Sequence, residues 1–290
     1  MNPSDDISTL NARDIRRRFD RAAPGFDSAD FVHEVARNGL IARLQPMLVE
    51  PRTVIDLGAA AGAGSRLLTR QFRRAHVIAI DLSNEMLKRV RHNRSWFSKI
   101  SAVQADARAM PVVEQSVDLV FANLLLPWID DIAVLFREVS RVLRKDGLFL
   151  FSTLGPDSLI ELRRAWQSVD THAHVNRFLD MHDIGDALIA AGLRDPVLDV
   201  DRLALTYSSI EGLFHDLTAV GARNSLAERN PTLVSRARFQ MMRARLEDGI
   251  ADYRLALELE LVFAHCWGSG LHASGAEFHV DATTIGQRRR

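Results

Sequence analysis

Five short runs, "TVIDLG" (53–58), "HVIAID" (76–81), "SAVQAD" (101–106), "VDLVFAN" (117–123) and "LFLFST" (148–153), are apolar almost without interruption. A strand with one face in water alternates apolar and polar residues. A strand buried on both faces does not, and such strands belong to parallel sheets covered by helices. The gaps supply those helices. In "DIAVLFREVSRVLRKDG" the residues Ile132, Leu135, Phe136, Val139, Val142 and Leu143 recur at helical spacing, and Gly147 falls where that helix is expected to stop. "SNEMLKRVRHN" (83–93) opens on Ser83, a natural N-cap. Strand and helix in alternation predict a layered α/β fold.

The flanks read differently. Residues 10–48 are expected to be helical, with a turn at Ala23-Pro24-Gly25; 160–170 and 181–193 read as helices and Pro196–Leu205 as a strand. Residues 209–250 look helical, split by Asn230-Pro231, and "RLALELELVFAHCW" (254–267) alternates as a late antiparallel strand does. The expected organisation is a helical N-terminal cover (1–48), a core (49–205), a helical lid (206–253), a last core strand (254–267) and a tail (268–290).

Composition excludes more than it assigns. Of 290 residues, 37 are Lys or Arg and 37 are Asp or Glu, so no net field points to nucleic acid. The single cysteine, Cys266, excludes an internal disulfide and a paired-cysteine metal site and suits a reducing cytoplasm. Asp5 and Asp6 replace the apolar core of a signal peptide, and no run approaches the length of a membrane span.

The chemistry is concentrated in "VIDLGAAAGAGSRLL" (54–68), a strand entering a glycine turn and then a helix. Three ligand classes compete for it. A phosphate-binding P-loop ends in Gly-Lys-Ser/Thr, whereas this loop ends Gly64-Ser65-Arg66. A dinucleotide fingerprint needs a third glycine that is missing after Gly62-Ala63-Gly64. S-adenosyl-L-methionine has no phosphate, so the loop need only bring backbone close to its carboxypropyl tail and sulfonium. Carboxylates at the next strand ends then hold the ribose diol and the adenine amino group. Asp56, Asp81 and Asp106 occupy three successive strand ends.

In order, "VIDLGAAAG", "AIDLSNEML", "QADARAMP", "SVDLVFANLLLPW" and "LFREVSRVLRKDGLFLFST" resemble the class I methyltransferases over residues 53–153. The resemblance implies a seven-stranded, mostly parallel sheet with S-adenosyl-L-methionine beyond its strand ends. Asp56, Gly58, Ala60 and Gly62 match the cofactor loop, Asp81 and Leu82 the ribose site, Asp106 and Ala107 the adenine site, and Asn123 and Leu124 the segment beneath the reacting methyl. At position 60 the pattern carries glycine; alanine there adds a Cβ, which strains the turn if the site demands a positive φ.

"IRRRFDRAAPGFDSADFVHEVA" (15–36) and "STLGPDSLIELRRAWQSVDTHAHVNRFLDMHDIGDAL" (152–188) resemble the malonyl-[acyl-carrier protein] O-methyltransferases of biotin (pimeloyl) synthesis, as does "LTAVGARNS" (217–225). This resemblance implies that the partner is an acyl carrier protein bearing a malonyl thioester and that the reaction is methylation of its free carboxylate. That acid is already ionised at neutral pH, so positioning replaces a general base. Arg177 is the first candidate for the cation that holds it and Arg163 the second. Where the family commonly places a tyrosine near the cofactor, this chain has Phe26. His172 and His174, with no acid identified beside them, read as surface or packing residues, and Arg236, Arg238, Arg243 and Arg245 form a basic lid helix. Residues 152–188 equally resemble a methyltransferase-like assembly factor of respiratory complex I that modifies an arginine. A small-molecule carboxylate methyltransferase and a scaffold without activity complete the alternatives.

Overall fold

A computed structural model describes residues 10–95, 98–223, 234–247 and 255–270. Two helices come first, α1 (Ala12–Ala22) and α2 (Phe31–Leu44). The alternating part follows: β1 (Thr53–Leu57), α3 (Ala63–Gln71), β2 (His76–Asp81), α4 (Asn84–Asn93), β3 (Ile100–Gln104), β4 (Val117–Asn123), α5 (Ile132–Val142) and β5 (Leu143–Leu154). The chain continues through α6 (Ile160–Gln167), α7 (Met181–Ala190), β6 (Leu193–Tyr207), α8 (Ile210–Ala219), α9 (Arg236–Glu247) and β7 (Leu255–Gly268). The seven strands form one sheet in the order β3-β2-β1-β4-β5-β7-β6. The first five are parallel; β7 runs antiparallel to both β5 and β6. The α/β sheet with its late antiparallel strand is the architecture expected from the sequence.

β4 illustrates why the inner strands are apolar throughout. Val120 and Ala122 enter the cluster beneath α5, with Phe136, Val139, Phe149 and Phe151. Leu119 and Phe121 enter the cluster beneath α2, with Leu40, Leu44, Val54 and Phe263. Successive side chains point to opposite faces, and here both faces are core. Capping agrees with the sequence too: the Ser83 hydroxyl accepts from the Met86 N–H at 3.2 Å, and Asp131 accepts from Val134 N–H at 3.1 Å.

Three boundaries differ. α5 ends at Val142 rather than near Gly147, because Leu143 already pairs with Val117 in the ladder between β4 and β5. α7 ends at Ala190, and β6 starts at Leu193, earlier than Pro196, by pairing with Gly268. The first lid helix, α8, stops at Ala219, well before the expected break; Asn230-Pro231 lies outside the described residues.

β6 and β7 are 15 and 14 residues long, against five to seven in β1–β4. β5 ends opposite Leu261, so the remainder of the β6–β7 pair, up to Tyr207 opposite Leu255, projects beyond the main sheet. Leu205, Leu255, Leu257 and Leu259 on this projection join Trp166, Leu213, Met242 and Leu246 from α6, α8 and α9 in a separate apolar cluster. Among the described residues no helix is long and apolar enough to cross a membrane.

Candidate active site

The chain runs outward through β1, β2 and β3 and then returns to place β4 on the other side of β1. Loops on either side of such a reversal diverge and leave a crevice at the strand ends. A cavity occupies that crevice, lined by Gly58 and Ala60 after β1, Asp81 and Leu82 at the end of β2, and Asp106 and Ala107 after β3. Asn123 and Leu124 at the end of β4 close its base, while Phe26 and His33 from the N-terminal cover close its top.

Backbone geometry explains the loop. Gly58 and Gly62 have φ of 73° and 81°, and a Cβ added to Gly62 would meet Val90 of α4 at 3.0 Å. Ala60 has φ of 46°, so alanine here does sit in the left-handed region. Its N–H donates to Asp81 Oδ2 at 2.9 Å, and the Ser83 N–H donates to Asp81 Oδ1 at 2.7 Å. Each oxygen of Asp81 therefore keeps acceptor capacity. Burial pushes this carboxyl up to about 6, opposed by those backbone N–H donors; Asp20 on α1 adds to the rise.

Asp56 is placed one step away. Its side chain is buried, accepts from the Ser65 hydroxyl at 2.5 Å, and lines a small adjoining cavity with Gly58, Ala60, Gly64 and Arg37 rather than the main one. Burial raises it to about 6 as well. Asp106 is engaged by Arg108, whose Nε and Nη2 donate at 3.1 and 2.8 Å, and this pairing holds the carboxyl below its usual range. Gly62 caps α3 and does not line the main cavity.

A second, larger and mostly apolar cavity abuts the first and shares His33, Leu124 and Trp128 with it. Its walls include Trp166, Phe178, Leu205 and Phe214. Asn176 and Phe178 line it and Arg177 does not: Asn176 is buried and Arg177 exposed. Arg163 lies outside the lining too, donating to the carbonyls of Pro156 at 3.1 Å and Asn176 at 3.5 Å. Burial and the neighbouring Arg177 charge both lower its pKa, so the two arginines form one positive spot behind the wall.

The histidine reading holds for placement, with His172 exposed and the His174 ring packed on Trp166, and needs correction only for the missing acid. His174 has an acid four residues earlier: its Nε2 lies 2.8 Å from Asp170 Oδ1, its ring stacks on Trp166 at 3.8 Å, and it lines the second cavity. The i, i+4 spacing was available in the sequence. On the lid helix, Arg243 pairs with Glu211 and Glu247 and Arg238 lies 3.9 Å from Asp170, so part of the basic face is internally balanced. Two further residues went unread. Arg37, nine-tenths buried, pairs with Asp30 at 3.6 Å beside the small cavity. His33 borders all three cavities.

Residues 55–151 match the Methyltransferase domain family. A malonyl-[acyl-carrier protein] O-methyltransferase from Halorhodospira halophila is 39% identical over 100% of both chains. One from Methylovorus sp. is 39% identical over 90% of both. This chain belongs to the malonyl-[acyl-carrier protein] O-methyltransferase family. It is thus an S-adenosylmethionine-dependent class I methyltransferase, as the sequence motifs implied. The fold is shared with the crystal structure of the YcgJ protein from Bacillus subtilis: the TM-score is 0.57 at 15% identity, with 80% of this chain and 98% of that one covered.

Proposed function

We propose that this methyltransferase esterifies the free carboxylate of malonyl-[acyl-carrier protein] in biotin (pimeloyl) synthesis. The observation that carries this reading is the extent of the relatives' match. The domain family stops at residue 151, on the cofactor side, whereas the curated relatives match through α6, β6, the lid and β7, which build the second cavity.

The cofactor residues read from the motifs fit S-adenosylmethionine. Asp81 presents a carboxylate with acceptor capacity to spare for two ribose hydroxyls, and Asp106 sits where an adenine amino group would donate, shared with Arg108. Gly58 and Ala60 turn the backbone toward the cavity, Asp56 braces that turn through Ser65, and Gly62 sets the start of α3. Leu82, Ala107, Leu124 and Phe26 supply apolar walls. When bound, the cofactor supplies an electrophilic methyl group on a sulfonium.

The chain's own task is to bring an ionised acid to that point and exclude water. Phe26 and Trp128 close the cavity without a titratable group, and Arg163 with Arg177 draws an anionic acceptor toward the wall they back. We assign the reaction to the cytoplasm, in keeping with one buried thiol, Cys266. The test is mass spectrometry of malonyl- and acetyl-carrier protein after incubation with S-adenosylmethionine. The malonyl form gains one CH2 and the acetyl form, lacking the acid, does not; an unmodified malonyl form overturns the proposal.

A further inference from the structure

The methyl must cross from one cavity to the other, so the acceptor's carboxylate has to stand where they meet. Three residues line both: His33, Leu124 and Trp128. Leu124 offers no polar side-chain atom, and Trp128 offers one indole N–H. His33 is different. Its Nδ1 is shut off from solvent and has no hydrogen-bond partner among the described residues. A buried polar atom left without a partner costs stability, and such groups persist where a ligand completes them.

The ring is held in place. His33 lies on α2 and its backbone carbonyl accepts from Asn123 Nδ2 at 3.0 Å, while Asn123 Oδ1 accepts from the Ser152 hydroxyl at 2.9 Å. Its ring meets Phe26 edge-on at 5.1 Å. The first contact fixes the α2 backbone at the ends of β4 and β5, and the Phe26 contact packs the ring, where the two cavities meet.

We propose that His33 is the residue that positions the acceptor's carboxylate for methyl transfer, donating one hydrogen bond from Nδ1–H to one carboxylate oxygen. Burial, with the Arg37 cation one turn further along α2, lowers this imidazole to about 4, so it is neutral at pH 7. A neutral single donor suits the reaction. A guanidinium fork engages both oxygens of a carboxylate and draws their electron density. One N–H fixes one oxygen and leaves the other free to attack the methyl carbon, forming the ester C–O bond as the sulfonium C–S bond breaks. The departing electron pair stays on sulfur, and no proton moves.

This inference rests on the proposed acceptor. It is tested with two variants, His33→Phe, which keeps a ring against Phe26, and His33→Asn, which keeps an amide N–H near the place of Nδ1. Each is compared with the wild-type protein by melting temperature, by calorimetry with S-adenosylhomocysteine, and by steady-state methylation of malonyl-carrier protein at saturating cofactor. The expected result is S-adenosylhomocysteine affinity within about twofold of wild type in both variants, with kcat/KM reduced about tenfold or more in His33→Phe and substantially recovered in His33→Asn. Full activity in a folded His33→Phe protein overturns the inference. So does a cofactor affinity that falls in step with activity, or a His33→Asn protein no better than His33→Phe. If the wild-type protein binds S-adenosylhomocysteine yet leaves malonyl-carrier protein unmodified, the acceptor reading is what fails.

Discussion

Ala60 is a place where the loop departs from its pattern and where the structure gives the departure a sign. A non-glycine residue in the left-handed region costs roughly 1–2 kcal/mol, and Ala60 lies there with φ of 46°. Glycine at this position removes the strain, but the unfolded chain gains freedom worth about 0.5–1 kcal/mol. The methyl is only partly buried, against the cluster containing Phe26 and Met86, so its loss costs about half the roughly 0.8 kcal/mol of a fully buried CH2. These terms nearly cancel, leaving Ala60→Gly within about 0.5 kcal/mol of wild type. Its neighbour is the control. Ala61 is 1% exposed and has no positive φ, so Ala61→Gly loses packing and entropy with no strain to relieve, about 1.5 kcal/mol in all. A single domain of this size shifts by about 2–4 °C per kcal/mol, and the two variants should therefore melt several degrees apart in a thermal scan. The Ala60 N–H still points at Asp81, so S-adenosylhomocysteine should bind Ala60→Gly as well as wild type or better. Equal melting temperatures, or markedly weaker binding to Ala60→Gly, refute the reasoning.

Other outcomes follow from the same geometry. Asp81→Ala removes the acceptor of two ribose hydroxyls and should weaken S-adenosylhomocysteine more than about tenfold by calorimetry, in a protein that still folds. Asp56 and Asp81 are both raised from 3.8 to about 6, so between those values the folded chain holds protons that the unfolded chain has released. Their contribution to the stability of the ligand-free protein should be full at and below about pH 4 and be lost as pH rises through about 6. Melting scans in this range should show the slope reduced in Asp81→Asn. S-adenosylhomocysteine affinity should run the other way, rising with pH as Asp81 ionises. Ser152→Ala leaves Asn123 Oδ1 without its hydroxyl donor and the Leu124 N–H with only the carbonyl of residue 152, and should cost about 1–3 kcal/mol in denaturant titrations. Arg177→Ala should raise KM for malonyl-carrier protein in a salt-dependent way with kcat nearly unchanged, because an exposed cation steers rather than holds.

The donor half of the protein was readable because its signals are local. Asp81 and Asp106 each end an apolar run, and the sheet brings these run-ends to one cavity by its own topology, while Asp56, one residue before the end of β1, faces the adjoining one. Asp106 shows the limit of that reading: its partner Arg108 was in plain view two residues on, but nothing in the spacing says the two will bind each other. The acceptor half depends on long-range placement. His33 reaches the cavities beside Asn123, which is ninety residues away in the chain and bonds its carbonyl, and no periodicity in α2 encodes that encounter. Arg177 lies outside the cavity lining while its two neighbours, Asn176 and Phe178, are part of it, a difference of one residue that no motif encodes.

The projection of β6 and β7 beyond the end of β5 gives the molecule two partly independent stability units. The inner sheet is clamped on both faces, whereas the projecting strand pair is fastened to α6, α8 and α9 through its own cluster. Amides of the residues 202–207 and 255–260 ladder can open without breaching the donor cavity, and hydrogen exchange there should be faster than in β1 and β4. The domain family's match ends at residue 151, before either strand of that pair begins.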